Sequence, residues 1–190
     1  TGPWTIRAGA FWQNGRPVYF TGVGHFGQVR QDIPILNDYG LNIIQIEMGP
    51  ANGLPPPNTV DVEAIRQNVV QWLDKAAAHH VAVNLLISPH YFPQWAFEAD
   101  PAHRQCGQGF LKFCLEAPNT QVVMEKWLDA LLPLIAHHPA LHSICLSNEP
   151  QYQGRCAYER AAFQAWLKAK WGSLRQANRV YGTQFRRFED

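Results

Sequence analysis

The sequence predicts an α/β fold built around a parallel sheet, and three observations point there. Four short, near-continuous apolar runs (residues 17–22, 42–47, 81–88 and 141–147) read as strands buried on both faces. Stretches with apolar residues at helical spacing separate them, as crossovers between parallel strands require. Polar residues collect at or just after the end of each run: His25, Glu47, His90, and Asn148 with Glu149.

The elements follow in order. Asn14-Gly15 supplies the turn of a hairpin from Ala10-Phe-Trp into the first strand, Pro17-Val-Tyr-Phe-Thr-Gly. Asp32 is placed to cap a helix that Gly40 stops. The second strand, Asn42-Ile-Ile-Gln-Ile-Glu47, ends at Met48-Gly49-Pro50 and leads into a proline-rich loop. Asp61 caps the next helix, on which Val62, Ile65, Val69, Trp72, Leu73 and Ala76 form one apolar face. After the third strand, the aromatic, Gly- and Pro-punctuated stretch 89–118 reads as an active-site loop. A helix over 120–136 precedes the fourth strand, and helices over 157–171 and 173–181 follow it. Trp72, Trp127 and Trp166 are expected in the core. The pairs His79-His80 and His137-His138 fall at helix ends, where a cation suits the dipole.

Composition narrows the function. The chain has 190 residues, 46% of them hydrophobic, enough to bury a core. Its 16 Lys and Arg balance 15 Asp and Glu, and no basic run could neutralise several phosphates, so nucleic acid is not an expected partner. No apolar stretch approaches the roughly 20 residues of a membrane span. The first residues do not form a charged segment followed by an apolar one, and the loop cysteines leave the compartment open, with a secreted or periplasmic setting favoured over the cytoplasm. Cys106, Cys114, Cys145 and Cys156 lack CxxC spacing, so no metal site and no cofactor are expected. Cys145 reads as a buried thiol, and one disulfide among the other three is an open alternative.

Gly22-Val-Gly24-His-Phe-Gly27, with Glu47 at the end of the next strand, matches the G-x-G-x-x-G fingerprint of dinucleotide binding. That fingerprint needs the glycine turn to open directly into a helix. Pro34 would then lie inside that helix, at a cost of roughly 3 kcal/mol. A helix starting at Asp32 leaves no helix N-terminus at the glycines, so an NAD(P)-dependent oxidoreductase is the alternative rather than the leading reading.

The fourth strand carries the stronger signal. A buried parallel strand has no packing reason to end in Asn148-Glu149, since an unpaired buried carboxylate is costly. Ser147-Asn148-Glu149-Pro150 resembles the Asn-Glu(-Pro) signature of retaining (β/α)8 glycoside hydrolases. Residues 88–95 (Ser-Pro-His-Tyr-Phe-Pro-Gln-Trp) and 170–185, with Trp171-Gly and Tyr181-Gly-Thr, are similar to stretches of the family 42 β-galactosidases and their relatives. The resemblance implies the first half of a (β/α)8 TIM barrel: four parallel strands with covering helices, residues 1–190 forming the N-terminal portion of a single catalytic domain. It implies Glu149 as general acid/base in a desolvated setting that raises its pKa, and Asn148 as donor to the sugar 2-hydroxyl.

In the resembled enzymes the nucleophile lies on the seventh strand, so this chain is expected to lack it and to be inactive alone. Glu47 is the in-chain substitute considered; otherwise it binds substrate or forms an ion pair. His25 and His90 are candidates for sugar hydroxyls, and Tyr91 and Trp95 for stacking on a pyranose. The expected partners are an oligosaccharide or β-glycoside substrate and, because a half-barrel leaves strand edges open, a second copy or a complementing half. A non-catalytic carbohydrate-binding fragment is the remaining alternative.

Overall fold

The computed structural model describes residues 4–24, 28–87, 91–106, 113–150 and 156–189. The chain divides into two compact units, one of Thr1–Trp95 and Val123–Glu149, the other of Ala96–Val122 and Pro150–Asp190.

The first unit begins with an antiparallel sheet of β1 (Thr5–Arg7), β2 (Ala10–Gln13) and β3 (Arg16–Val18). Both of its turns run through positive φ: Ala8-Gly9 at 48° and 75°, and Asn14-Gly15 at 50° and 75°. The Asn-Gly pair is the two-residue hairpin turn that the sequence indicates, because its backbone twist matches that of the strands. The Ala8-Gly9 turn and β1 are additions that the sequence reading missed.

A parallel sheet follows in the order β4 (Gly22–Gly24), β5 (Ile43–Glu47), β6 (Ala82–Leu86) and β7 (Leu141–Cys145). The strands run consecutively, each paired to the next in parallel. The first parallel strand is therefore Gly22–Gly24 and not residues 17–22, whose start belongs to the hairpin. Asn42 sets this arrangement: its side chain accepts from Thr21 N–H at 2.9 Å and donates to the Tyr19 carbonyl at 2.8 Å. It thereby fixes the segment that leads into β4.

The period-2 alternation of the strands sorts their side chains. Ile44, Ile46, Val83 and Leu85 share one face and are all buried. The helices α2 (Val62–Ile65) and α3 (Gln71–Ala78), joined by a π-helical turn Arg66–Val70, supply buried Ile65, Val69, Leu73 and Ala76, and α3 packs against β6. Asp61 caps α2 by accepting from Ala64 N–H at 2.8 Å, as the sequence indicates. In the long helix α5 (Pro118–Ile135), Val123, Trp127, Leu131 and Ile135 recur every fourth residue and are buried. Trp127 lies against Gly53 at the end of the short helix α1 (Pro50–Gly53).

The helix expected from Asp32 is instead a 3-10 segment, Gln28–Tyr39, with Pro34 inside it. In a 3-10 helix positions i and i+3 align, and the two buried residues, Ile33 and Leu36, are three apart.

Near the start of β7, His142 packs among Phe20, Phe11 and Trp4, with ring centroids at 4.4, 4.6 and 5.8 Å. Desolvation lowers its pKa from the ordinary 6.5. The unfolded chain therefore binds the proton more readily, and stability falls as pH drops below about 6.5 towards the depressed folded value. Urea unfolding midpoints measured across that window should decline, and His142→Phe should flatten the decline. Equal slopes in the two proteins would refute the assignment.

The second unit holds α4 (Gln94–Ala99) from Ala96 onward, a 3-10 turn Pro101–Gln105, the start of α5, and the helices α6 (Ala157–Trp171) and α7 (Leu174–Tyr181). Gly172 and Gly182, both at φ 66°, end α6 and α7 in the left-handed conformation. Trp166 is not core as expected. It is exposed, stacked on Phe163 at 5.8 Å with the Lys170 ammonium 4.4 Å from its ring. No described helix is long and apolar enough to cross a membrane.

Candidate active site

Parallel strands bring their C-terminal ends to one edge, and chemistry in such folds collects there. Glu47 closes β5, in register with Leu86 of β6, which is in turn in register with Cys145 of β7. Asn148 and Glu149 follow three and four residues beyond Cys145, Asn148 half-buried and Glu149 exposed. Among the described residues, the side chain of Glu149 stands exposed rather than in the desolvated setting expected for it. Its backbone is unusual: φ is 41° ahead of Pro150. The other described non-glycine residues with positive φ (Ala8, Asn14, Asn58 and His80) all lie in turns.

Glu47 has a partner. The Tyr91 phenol hydrogen-bonds to it, and burial, then the Glu47 charge and that bond, hold the phenol above the usual 10.0. Tyr91 is tied to α1, which follows β5, as well, since its carbonyl accepts from Ala51 N–H at 2.8 Å. Trp95, expected as a sugar platform, is half-buried and donates its indole N–H to the Leu54 carbonyl at 2.9 Å. The structure thus brings Glu47 and Tyr91 together and pins Trp95 to the end of α1. His25 and His90 lie outside the described residues.

On the sheet face that carries Glu47, one layer further down, the Gln45 amide donates to Asn84 at 2.7 Å and Asn84 donates to Ser143 at 2.7 Å. The sequence reading missed this polar layer, although Asn84 within an otherwise apolar strand was its visible signal. Gly22 and Gly24 are paired with Ile43 and Gln45 inside β4, so these two glycines do not form a loop after the strand.

The sequence reading found no metal pattern among the cysteines, yet the fold gathers three of them. Cys106, Cys114 and Cys156 are buried, and each is a free thiol. With Glu159 they place three Sγ atoms and a carboxylate oxygen within 4.8 Å of one another. Spacing could not reveal this, because Cys106 and Cys114 are separated in the chain from Cys156 and Glu159 at the start of α6. Cys145 is a free thiol too, but only half-buried.

The glycoside hydrolase 42 family, described as beta-galactosidase, matches residues 24–190. The chain belongs to this family. Similar solved structures are the β-galactosidase of psychrophilic Marinomonas ef1 (18% identity, TM-score 0.66, 90% of this chain and 29% of that one) and that of Bacillus circulans sp. alkalophilus (14%, 0.64, 90% and 28%). A third is the cold-adapted β-galactosidase of Rahnella sp. R3 (20%, 0.62, 85% and 25%). The chain spans less than a third of the length of each of these relatives. No curated protein matches it. The four consecutive parallel strands with their helices are the first part of a (β/α)8 barrel, and the lineage is that of a glycosidase.

Proposed function

We propose that this family 42 chain carries the acid/base half of a retaining β-galactosidase site. The observation that supports this most is the placement of Asn148-Glu149, strained at φ 41°, after the fourth parallel strand on the edge that also presents Glu47 and Tyr91. Backbone strain of this kind costs about 1–3 kcal/mol and persists where surrounding structure holds it, commonly at functional sites. Glu149 gives its proton to the leaving glycosidic oxygen and then takes one from the attacking water. Asn148 donates to the 2-hydroxyl, a contact that strengthens as the ring approaches the oxocarbenium geometry. Glu47, oriented by Tyr91, accepts from a sugar hydroxyl. The second carboxylate of a retaining pair sits roughly 5–5.5 Å from the first. In this proposal it comes from a strand beyond the 190 residues.

The test is turnover of an aryl β-D-galactoside by a chain extended through a complete barrel, with the first-formed product observed by proton NMR. The β-anomer is expected, and the α-anomer or no turnover would reject the proposal. The 190-residue chain alone should show no turnover. The sheet order leaves β4 and β7 each paired on one side only, and on β7 Ile144 and, just beyond it, Leu146 are exposed. Such edges favour association. Sedimentation velocity should therefore detect species larger than a 21.5 kDa monomer. A single monomeric boundary at micromolar concentration would contradict the open-edge account.

A further inference from the structure

Among the described residues, the parallel pairing shifts register at one point. From β6 to β7, Val83 pairs with Leu141 and Asn84 with Ser143, so a single step along β6 spans two residues of β7, and His142 is the extra one. A bulge of this kind leaves one residue out of the ladder, bends its strand and re-aims the side chains that come after it. What comes after it here is Asn148-Glu149.

Two sets of side chains hold the bulge. The His142 ring packs among Phe11, Phe20 and Trp4. Its neighbour Ser143 is held by the polar layer of the sheet. Gln45 Nε2 donates to Asn84 Oδ1 at 2.7 Å, which fixes the Asn84 amide, and Asn84 Nδ2 donates to Ser143 Oγ at 2.7 Å. The Ser143 hydroxyl also lies 3.0 Å from His142 Nδ1. Beyond the bulge the pairing continues without a further shift, Leu85 with Ile144 and Leu86 with Cys145, and Ile87 N–H donates to the Cys145 carbonyl at 3.0 Å. Hydrogen-bonded side chains in such a layer add little stability over apolar ones of the same shape. What they specify is register.

The competing arrangement is a straight ladder, in which Asn84 would pair with His142, Leu85 with Ser143 and Leu86 with Ile144. Because side chains alternate along a strand, that one-residue change would turn each later side chain of β7 to the opposite face. It would also set Asn148-Glu149 about 3.3 Å further beyond the sheet edge, the rise of one strand residue. A carboxyl group so displaced could not reach the oxygen it must protonate.

We propose that Asn84 and Ser143 are positioning residues for Asn148 and Glu149: their hydrogen bond pins the bulge at His142 and so sets the register in which β7 delivers those two residues to the strand-end edge. Gln45 contributes by holding the Asn84 amide in the donating orientation. The inference rests on the reading of Glu149 as general acid/base, and the experiment separates the two.

In the 190-residue chain, cross-strand nuclear Overhauser effects read the register directly. The parent should connect Leu85 with Ile144, and Asn84→Leu and Ser143→Ala should weaken that contact in favour of one from Leu85 to position 143. Unchanged Leu85 to Ile144 contacts in both variants would overturn the register role, whatever the activity. In the chain extended through a complete barrel, Asn84→Leu should lower kcat/KM for an alkyl β-galactoside about 10²-fold, the usual effect of misplacing a reacting group by an ångström or more. For a dinitrophenyl β-galactoside, whose leaving group needs no proton, kcat/KM should hardly change. A merely structural defect lowers the active fraction and scales both substrates alike. Ser143→Thr keeps the hydroxyl and should retain most of the parent's kcat/KM on each. Glu149→Gln is measured alongside. If it shows the selective loss while Asn84→Leu and Ser143→Ala lower both substrates in proportion, the positioning role is overturned and the acid/base reading stands. If Glu149→Gln itself spares the alkyl substrate, the acid/base reading falls and the positioning role with it. Should Asn84→Leu fail to fold, Ser143→Ala, which removes a single oxygen, carries both measurements.

Discussion

Glu149→Gln, introduced into the chain extended through a complete barrel, is expected to lower kcat on an alkyl β-galactoside by about 10²–10⁴-fold, the usual worth of a positioned general acid. Glutamine matches the carboxyl group in shape and hydrogen bonding but cannot deliver a proton. An alkoxide leaving group depends on that proton heavily, whereas a dinitrophenolate hardly does. The loss should therefore shrink steeply as the leaving group becomes more acidic, while deglycosylation stays impaired because the same residue must then act as base. Unchanged kcat with the alkyl substrate would reject the role of Glu149. Asn148→Ala offers an independent check. If Asn148 donates to the 2-hydroxyl, its replacement should reduce kcat/KM for the galactoside but have little further effect on the 2-deoxy analogue, since the two changes remove one contact.

The residues that carry this proposal were legible because their chemistry conflicts with their place in the chain. An apolar strand that ends in Asn-Glu-Pro has no packing rationale, and the conflict is visible without coordinates. The helices over 157–171 and 174–181 were similarly legible, because Ser173, Gly172 and Gly182 mark their ends. The cysteine site was not. Cys106 and Cys114 come from the stretch after the third parallel strand and Cys156 with Glu159 from the start of α6, and only the path of the chain in the second unit makes them neighbours. The N-terminal boundary failed for a different reason. Residues 17–20 have strand composition whether they form the arm of a hairpin or a buried parallel strand, and periodicity over so few residues cannot separate the two. What decides is Asn42, which binds the Tyr19 carbonyl and Thr21 N–H and so starts the parallel pairing later, at Gly22.

That late start explains why a glycine motif stands where a nucleotide fingerprint was suspected, and it separates the two glycines experimentally. A Cβ built on Gly22 would lie 1.9 Å from the carbonyl oxygen of Ile43, and 2.5 Å from that residue's Cγ2. The first obstacle is backbone in the neighbouring strand, which no rotamer change can move. Gly22→Ala must therefore push β4 away from β5 and disturb their pairing. Overpacking a well-ordered core typically costs about 1–3 kcal/mol, and a clash against sheet backbone belongs at or above the upper end. Among the described residues, a Cβ on Gly24 would meet the Gln45 side chain, at 3.7 and 3.8 Å, which is ordinary contact. Chemical denaturation should thus find Gly22→Ala strongly destabilised, or recovered only as aggregate, and Gly24→Ala within about 0.5 kcal/mol of the parent, as for substitutions that break no packing. If the glycines instead cradled a pyrophosphate, both variants would lose NADH-dependent fluorescence changes while keeping the parent's stability. Equal stability of the two variants would remove the strand-packing explanation and return the motif to consideration as a binding loop.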